Sequence, residues 1–347
     1  MNATYPILFA FLLIFCLGGC NNVKKSNPEQ QTQARVAKQA ETLSEQKAKA
    51  KPLLVDTLSY VAKLKALANG DTTGLWPTHT TAYPLNGAIL PFKRIVAFYG
   101  NLYSKKMGVL GEYPPAEVWK RLNTEVKTWE KVDPATPVQP AIHYIAAVAQ
   151  GIPMKDGTYC KRMPAVQIDS ALTIAKMGDA IVFLDVQVAK SNLRDEIPLL
   201  RKYLEMPQVH LAIDPEFSMK DGSIPGRKIG TMDASDINFC SDYLAKLVKE
   251  KNLSPKILIV HRFTQGMVKN YKNIALHPEV QIVMNMDGWG EPVLKYSTYS
   301  RYIYREPVQF TGFKLFYKND LKKAPHRMLT PPELMKLKPQ PIYIQYQ

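Results

Sequence analysis

Asp214-Pro215-Glu216 closes one apolar run of this 347-residue chain, and Asp185-x-Gln187 closes another. His261-Arg262, Asp287 and Lys314 close three more. Carboxyl groups two residues apart point to one side of a strand. Two carboxyls flanking a glycosidic bond, one protonated and one ionised, hydrolyse it by acid/base chemistry. The candidate catalytic set is therefore Glu216 as acid/base, Asp214 and Asp185 as its orienting and charge-tuning partners, and Asp287 as a second carboxylate. Tyr99, Gln187, His261, Arg262, Trp289, Lys314 and Gln345 fall at or just past run ends and are the candidate substrate contacts. A ring of structural ion pairs, for example Asp185 or Asp214 with Lys314 or Arg262, is the competing reading for any one of them. As a set they favour a ligand site, because charged groups rarely enter a core unpaired.

Two other uses of these residues stay open. Divalent-metal-dependent hydrolysis would draw its ligands from Asp185, Asp214, Glu216, His261 or Asp287. One histidine stands at the run ends and no His-x-His or His-x-x-x-His pair occurs, which disfavours zinc and leaves an oxygen-rich divalent site open. No other cofactor is implied. Without chemistry, Tyr99, Trp289 and Tyr317 would be stacking surfaces for a glycan or a protein partner.

Run ends converge only if the runs are neighbouring strands. Eight β-branched stretches recur, at Arg94–Gly100, Gln139–Ala147, Ala180–Gln187, Val209–Glu216, Lys256–Phe263, Gln281–Asp287, Val308–Phe316 and Pro341–Gln345. Nearly continuous apolar runs of this length suit parallel strands buried on both faces. Helical stripes lie between them: Trp119, Leu122, Val126 and Trp129 behind Pro114-Pro115, then Leu193, Ile197, Leu200 and Leu204. Ile237, Cys240, Leu244, Leu247 and Val248 follow Asp233, the candidate N-cap. Weaker helices are expected near 164–178, 266–276 and 291–304, a short one from Thr330-Pro331-Pro332-Glu333, and one ahead of the body from Leu53 to Leu67. Eight strand–helix alternations predict a single (β/α)₈ TIM-type barrel over 92–347, preceded by a helix and approach loop over 52–91. An open doubly wound sheet is disfavoured, since no G-x-G-x-x-G follows any strand. Cys240 reads as a buried thiol, and nothing in the spacing supports a Cys160–Cys240 bridge.

Residues 1–20 carry no charged side chain, and Ile7–Leu17 has the length of a signal h-region. The run ends in Leu17-Gly18-Gly19-Cys20, which resembles the bacterial lipoprotein processing box. That resemblance implies lipidation at Cys20 after removal of the signal peptide, and two acyl chains anchor stably. Residues 21–51, rich in Gln, Lys, Ala and Ser and without an aromatic, read as a flexible polar tether. With 45 Lys+Arg against 30 Asp+Glu the chain carries +15, and the tether's lysines suit anionic headgroups. No nucleic-acid motif occurs. The expected place is the cell envelope outside the cytoplasm, with Asn21 after the cysteine favouring outer membrane or surface over inner membrane. Oligomeric state is left open.

Asp214-Pro215-Glu216 also resembles the end of the chitinase-like signature Asp-x-x-Asp-x-Asp-x-Glu, and Met284-x-x-Asp287 that family's sixth-strand motif. The resemblance implies Glu216 as acid and Asp214 as the residue orienting a substrate acetamido nucleophile. Val209 and Ala212 stand at the signature's first two acidic positions, and Met286 where the family has Tyr. A group of uncharacterised bacterial lipoproteins is similar over 92–347. The shared blocks include Phe98-Tyr-Gly-Asn101, Leu184-Asp-Val-Gln187, Leu211-Ala-Ile-Asp-Pro-Glu-Phe217 and Val260-His-Arg-Phe263. Met286-Asp287-Gly288 and Tyr343-Ile-Gln-Tyr-Gln347 continue the series. This similarity implies the envelope and the barrel, and lends no catalytic roles.

Overall fold

Eight parallel strands close on themselves in the computed structural model, which describes residues 54–78 and 82–347. The expected signal segment with Cys20 and the expected tether over 21–51 lie outside the described residues. The strands are β1 (Arg94–Gly100), β2 (Val138–Ala149), β3 (Ile181–Val186), β4 (Val209–Ile213), β5 (Lys256–Arg262), β6 (Val280–Met286), β7 (Phe310–Leu315) and β8 (Tyr343–Tyr346). Each pairs in parallel with the next, and β8 pairs with β1 to complete a (β/α)₈ TIM-type barrel. Following the register once round displaces the partner by eight residues, the shear of this architecture.

Alternation then divides each strand. Ile95, Ala97, Ala141, Phe183, Ala212 and Ile259 point into the barrel, while Val96, Phe98, Ile142, Leu184, Leu211 and Leu258 pack outward under the helices. Burial on both faces is why the strands read as unbroken apolar runs. Helix α1 (Thr57–Ala68) sets buried Tyr60, with Leu64 and Leu67, against the inner cluster that holds Ile95 and Tyr343. It closes the end of the barrel where the strands begin.

The crossovers carry α2 (Val109–Glu112), α3 (Pro115–Val132), α4 (Ala165–Lys176), α5 (Leu193–Leu199), α6 (Arg201–Leu204), α7 (Ala234–Lys251), α8 (Pro292–Tyr299) and α9 (Pro331–Leu334). Helix α3 starts on Pro115, where the missing N–H costs nothing, and buries Val118, Leu122, Val126 and Trp129. The stripe from Leu193 to Leu204 is two helices, because Pro198 lacks the N–H that a continuous helix needs. The helix expected over 266–276 does not form. Gln265–Met267 and Tyr271–Asn273 are single 3₁₀ turns, and Asn270 between them takes a left-handed backbone (φ 56°). Past α8 the chain widens into a π turn, Ser300–Tyr304.

Strand ends also fall earlier than the apolar runs. β4 stops at Ile213 and β3 at Val186; Asp214 N and Gln187 N still donate to Val186 O and Ala147 O, and Glu216 lies beyond the ladder. Pro215 cannot donate to a ladder, and Asp214 instead caps a 3₁₀ turn, Pro215–Phe217, by accepting from Glu216 N at 3.1 Å. Cys160 and Cys240 are buried free thiols. Asp233 caps α7 as its position suggested, in a reciprocal box with Asp236, and also accepts from the Asn270 side chain. Asp233→Ala removes both contacts and is expected to lower stability by about 1 kcal/mol, read as a drop in the urea midpoint with an unchanged slope.

Candidate active site

A pocket of about 580 Å³ opens at the C-terminal ends of the strands, with Asp214, Glu216, Asp287, Gln187, Lys314 and Tyr99 in its lining. Asp287 follows β6 and is the best-compensated of the three carboxylates. Lys314 Nζ lies 2.8 Å from its Oδ1 and His261 Nδ1 lies 2.9 Å from its Oδ2. Burial pushes this carboxyl up, and the Lys314 and His261 charges reverse the effect and hold it below the usual range. Asp214 Oδ2 accepts from Gln187 Nε2 at 3.2 Å, and Gln187 is oriented by Ala149 N, which donates to its Oε1. Burial lifts the Asp214 carboxyl well above its ordinary value, with Glu216, Asp185 and Asp287 adding repulsion that His261 offsets only in part.

Glu216 sits on the 3₁₀ turn, and among the described residues its carboxyl meets no donor and no cation at ion-pair distance. Burial and the Asp287 charge push it up to about 7, against the pull of Lys314 and His261. One pocket therefore contains an ionised Asp287 and a Glu216 that is half-protonated near neutrality. That division is the requirement for acid/base work by two carboxyls.

A second polar layer lies under the floor. In register, Asp185 pairs with Ala212 and His261 with Asn285, so each sits one inward-facing layer below Asp214 and Asp287. His143, from the middle of β2, completes this layer. Asp185 Oδ2 is 3.3 Å from His143 Nε2 and 3.4 Å from His261 Nε2, and all three side chains are fully buried. Burial raises the Asp185 carboxyl, but the two rings more than reverse this. Burial depresses His143 to about 4 despite Asp185, whereas Asp185 and Asp287 overcome burial at His261 and raise it to about 10. Tyr343 OH is 2.6 Å from His143 Nδ1 and accepts from Gln345 Nε2, while Gln345 Oε1 accepts from Asn285 Nδ2. Gly312 makes room for this network, since a Cβ there would lie 2.7 Å from Asn285 Oδ1. The ligand atoms of His143, Asp185 and His261 lie within 4.8 Å of one another, a group able to hold a metal ion. It contains two imidazoles and one carboxylate, unlike the oxygen-rich set expected from Asp185, Asp214, Glu216, His261 and Asp287.

The structure thus gathers Asp214, Glu216, Asp287, Gln187, Tyr99, Lys314 and Trp289 at the pocket. It places Asp185, His261 and Gln345 beneath it, so none of these three touches a ligand in the mouth. Arg262 is elsewhere. As the neighbour of inward His261 it points outward, where its guanidinium donates to the Thr264, Gln265 and Val268 carbonyls and pairs with Glu306. Tyr317 is packing: it stacks on Tyr346 with ring centroids 5.5 Å apart and its hydroxyl donates to Glu125. The pocket also includes Lys106, Phe217, Phe263, Arg301 and Tyr302, which the sequence did not single out: Phe217 follows Glu216 on the 3₁₀ turn, Phe263 closes the fifth run, and Arg301 and Tyr302 come from the π turn after α8. Gly108 holds the first crossover against the site, since a Cβ there would fall 2.4 Å from Tyr99 O, and its φ of 115° suits glycine. Buried Lys295 donates to Lys314 O at 2.8 Å and to Asp320 Oδ2 at 2.5 Å, fixing the end of β7.

Comparison with protein-family models gives no match, and no curated protein is similar to the chain at a significant level.

Lys314 and Asp287 are nearly inaccessible, so truncating one partner strands the other's charge. Lys314→Met is expected to cost about 3 kcal/mol by chemical denaturation. Adding Asp287→Asn should restore most of that loss, and a double variant as unstable as the single would refute the pairing.

Proposed function

We propose that this chain is a lipid-anchored hydrolase of glycans working outside the cytoplasm, with Glu216 as its acid/base residue. The observation that carries the reading is the contrast in one pocket between Glu216, whose carboxyl has no partner among the described residues, and Asp287, held between Lys314 and His261. Glu216 gives its proton to the departing glycosidic oxygen as the C–O bond breaks, Asp287 keeps negative charge close by for the oxocarbenium-like transition state, and water then adds to the anomeric carbon and returns a proton to Glu216. Asp214 orients the turn that presents Glu216. Trp289, 46% exposed, offers an aromatic face for sugar stacking, and Lys106 and Arg301 favour a glycan bearing anionic groups.

The processing box at Leu17–Cys20 supports anchoring through a lipidated Cys20, and Asn21 favours the outer membrane or surface. No helix among the described residues is long and apolar enough to cross a membrane.

The test is a screen of neutral and acidic glycans with the full-length protein in detergent. On the substrate found, Glu216→Gln is expected to lower kcat by about 10²–10⁴ with little change in KM. Because the acid must be protonated, wild-type kcat should be full at low pH and fall as pH rises through about 7. Trp289→Ala should raise KM more than it lowers kcat. Unchanged turnover in Glu216→Gln overturns the reading, and glycan retention without turnover replaces hydrolysis with binding.

A further inference from the structure

We infer that His143, Asp185 and His261 form a binding site for one first-row divalent cation of the zinc type, inside the barrel beneath the pocket. Three different strands, β2, β3 and β5, bring these side chains together, and none has exposed surface. Both oxygens of Asp185 and the Nε2 atoms of His143 and His261 are buried without a hydrogen-bond partner. Four converging polar atoms left unsatisfied in one place demand an explanation, because each has given up its water.

The distances point to what is shared. A charged imidazole N–H bonded to a carboxylate brings N and O to about 2.7–2.9 Å. The His261–Asp287 pair in the same cluster meets that at 2.9 Å. Asp185 Oδ2 stands off from the two Nε2 atoms, at 3.3 and 3.4 Å. Two ligands about 2.1 Å from a common ion at a tetrahedral angle are about 3.4 Å apart. The separations are those of atoms that face one cation.

The surroundings agree. Each ring's far nitrogen is engaged: His261 Nδ1 with Asp287, and His143 Nδ1 with Tyr343 OH, which Gln345 in turn supports. Outer partners of this kind fix the ring orientation in metal sites and leave Nε2 directed at the ion. Two imidazoles and one carboxylate suit zinc, cobalt or iron, whereas magnesium and calcium prefer all-oxygen sets. Tyr99 lines the pocket and packs on both rings, with centroids 5.1 Å from His143 and 6.0 Å from His261, so it partitions the ion from the mouth.

The experiment uses the full-length protein in detergent, stripped with chelator and titrated separately with Zn²⁺, Co²⁺ and Mg²⁺. We expect one equivalent of zinc or cobalt per chain by elemental analysis after gel filtration, visible cobalt d–d bands, and a raised Tm. Magnesium should give none of these. Asp185→Asn, His143→Gln and His261→Gln should each lose the bound equivalent while keeping a native far-UV spectrum. His277→Ala, which alters a surface His–Asp pair, should retain it. Glu216→Gln should also retain it, so failure of the metal site and failure of the hydrolase reading are separately visible. A natively folded wild type that takes up neither zinc nor cobalt overturns the inference and leaves an ionic cluster around a protonated His261. Uptake that survives all three ligand substitutions overturns it as well.

Discussion

Asp287 is shared between Lys314 and His261, and that sharing sets a fixed charge in the mouth that adds to the effect of burial on its neighbours. Two cationic neighbours keep it ionised although it is almost entirely buried. Its fixed negative charge then adds to burial in raising the Glu216 carboxyl and helps make His261 basic. The pair is itself held from behind, since Lys295 anchors the β7 backbone at Lys314 and Asp320 compensates Lys295. A buried ion pair adds little net stability compared with apolar packing, but it is unforgiving of half-removal. It therefore specifies the geometry of the mouth more than it strengthens the fold.

The barrel has two chemical halves. Its lower interior is mostly apolar, with Ile95, Ala141, Ile181, Ile257 and Phe310 around buried His210 and Gln281, and is closed off by Tyr60 of α1. Its upper interior is polar almost throughout, and the polar atoms are stacked in two layers rather than one. Barrels of this architecture place stability at the strand starts and chemistry at the strand ends. Here the upper half also has a polar foundation, so substitutions at His143 or Asp185 reach the pocket from below, through Tyr99 and His261 and through the charge that Asp185 sets against Asp214.

The eight strands were readable in the sequence because burial on both faces removes polar residues from them. Asp214, Glu216, Asp287, Lys314 and Trp289 were readable because a charge or an exposed ring at the end of such a run has few structural uses. Depth was not readable. Asp185 and Asp214 occupy equivalent places in their runs, yet the stagger of neighbouring strands pairs Asp185 with Ala212 and leaves Asp214 a layer higher. His143 stayed hidden for the same reason, being mid-strand in the longest strand and level with its partners only through the shear. Arg262 was misplaced because adjacent residues in a strand face opposite ways and His261 took the inner side. The fifth crossover lost its helix to Gly266 and Asn270, local breakers in a stretch with no apolar stripe to override them.

The plug formed by α1 makes the barrel a blind alley. A polymer cannot thread through it, so a long chain either lies across the opening or inserts one end. Whatever enters must back out by the same door before the next occupant arrives. The exposed ring of Trp289 stands at the threshold that anything entering or leaving must cross.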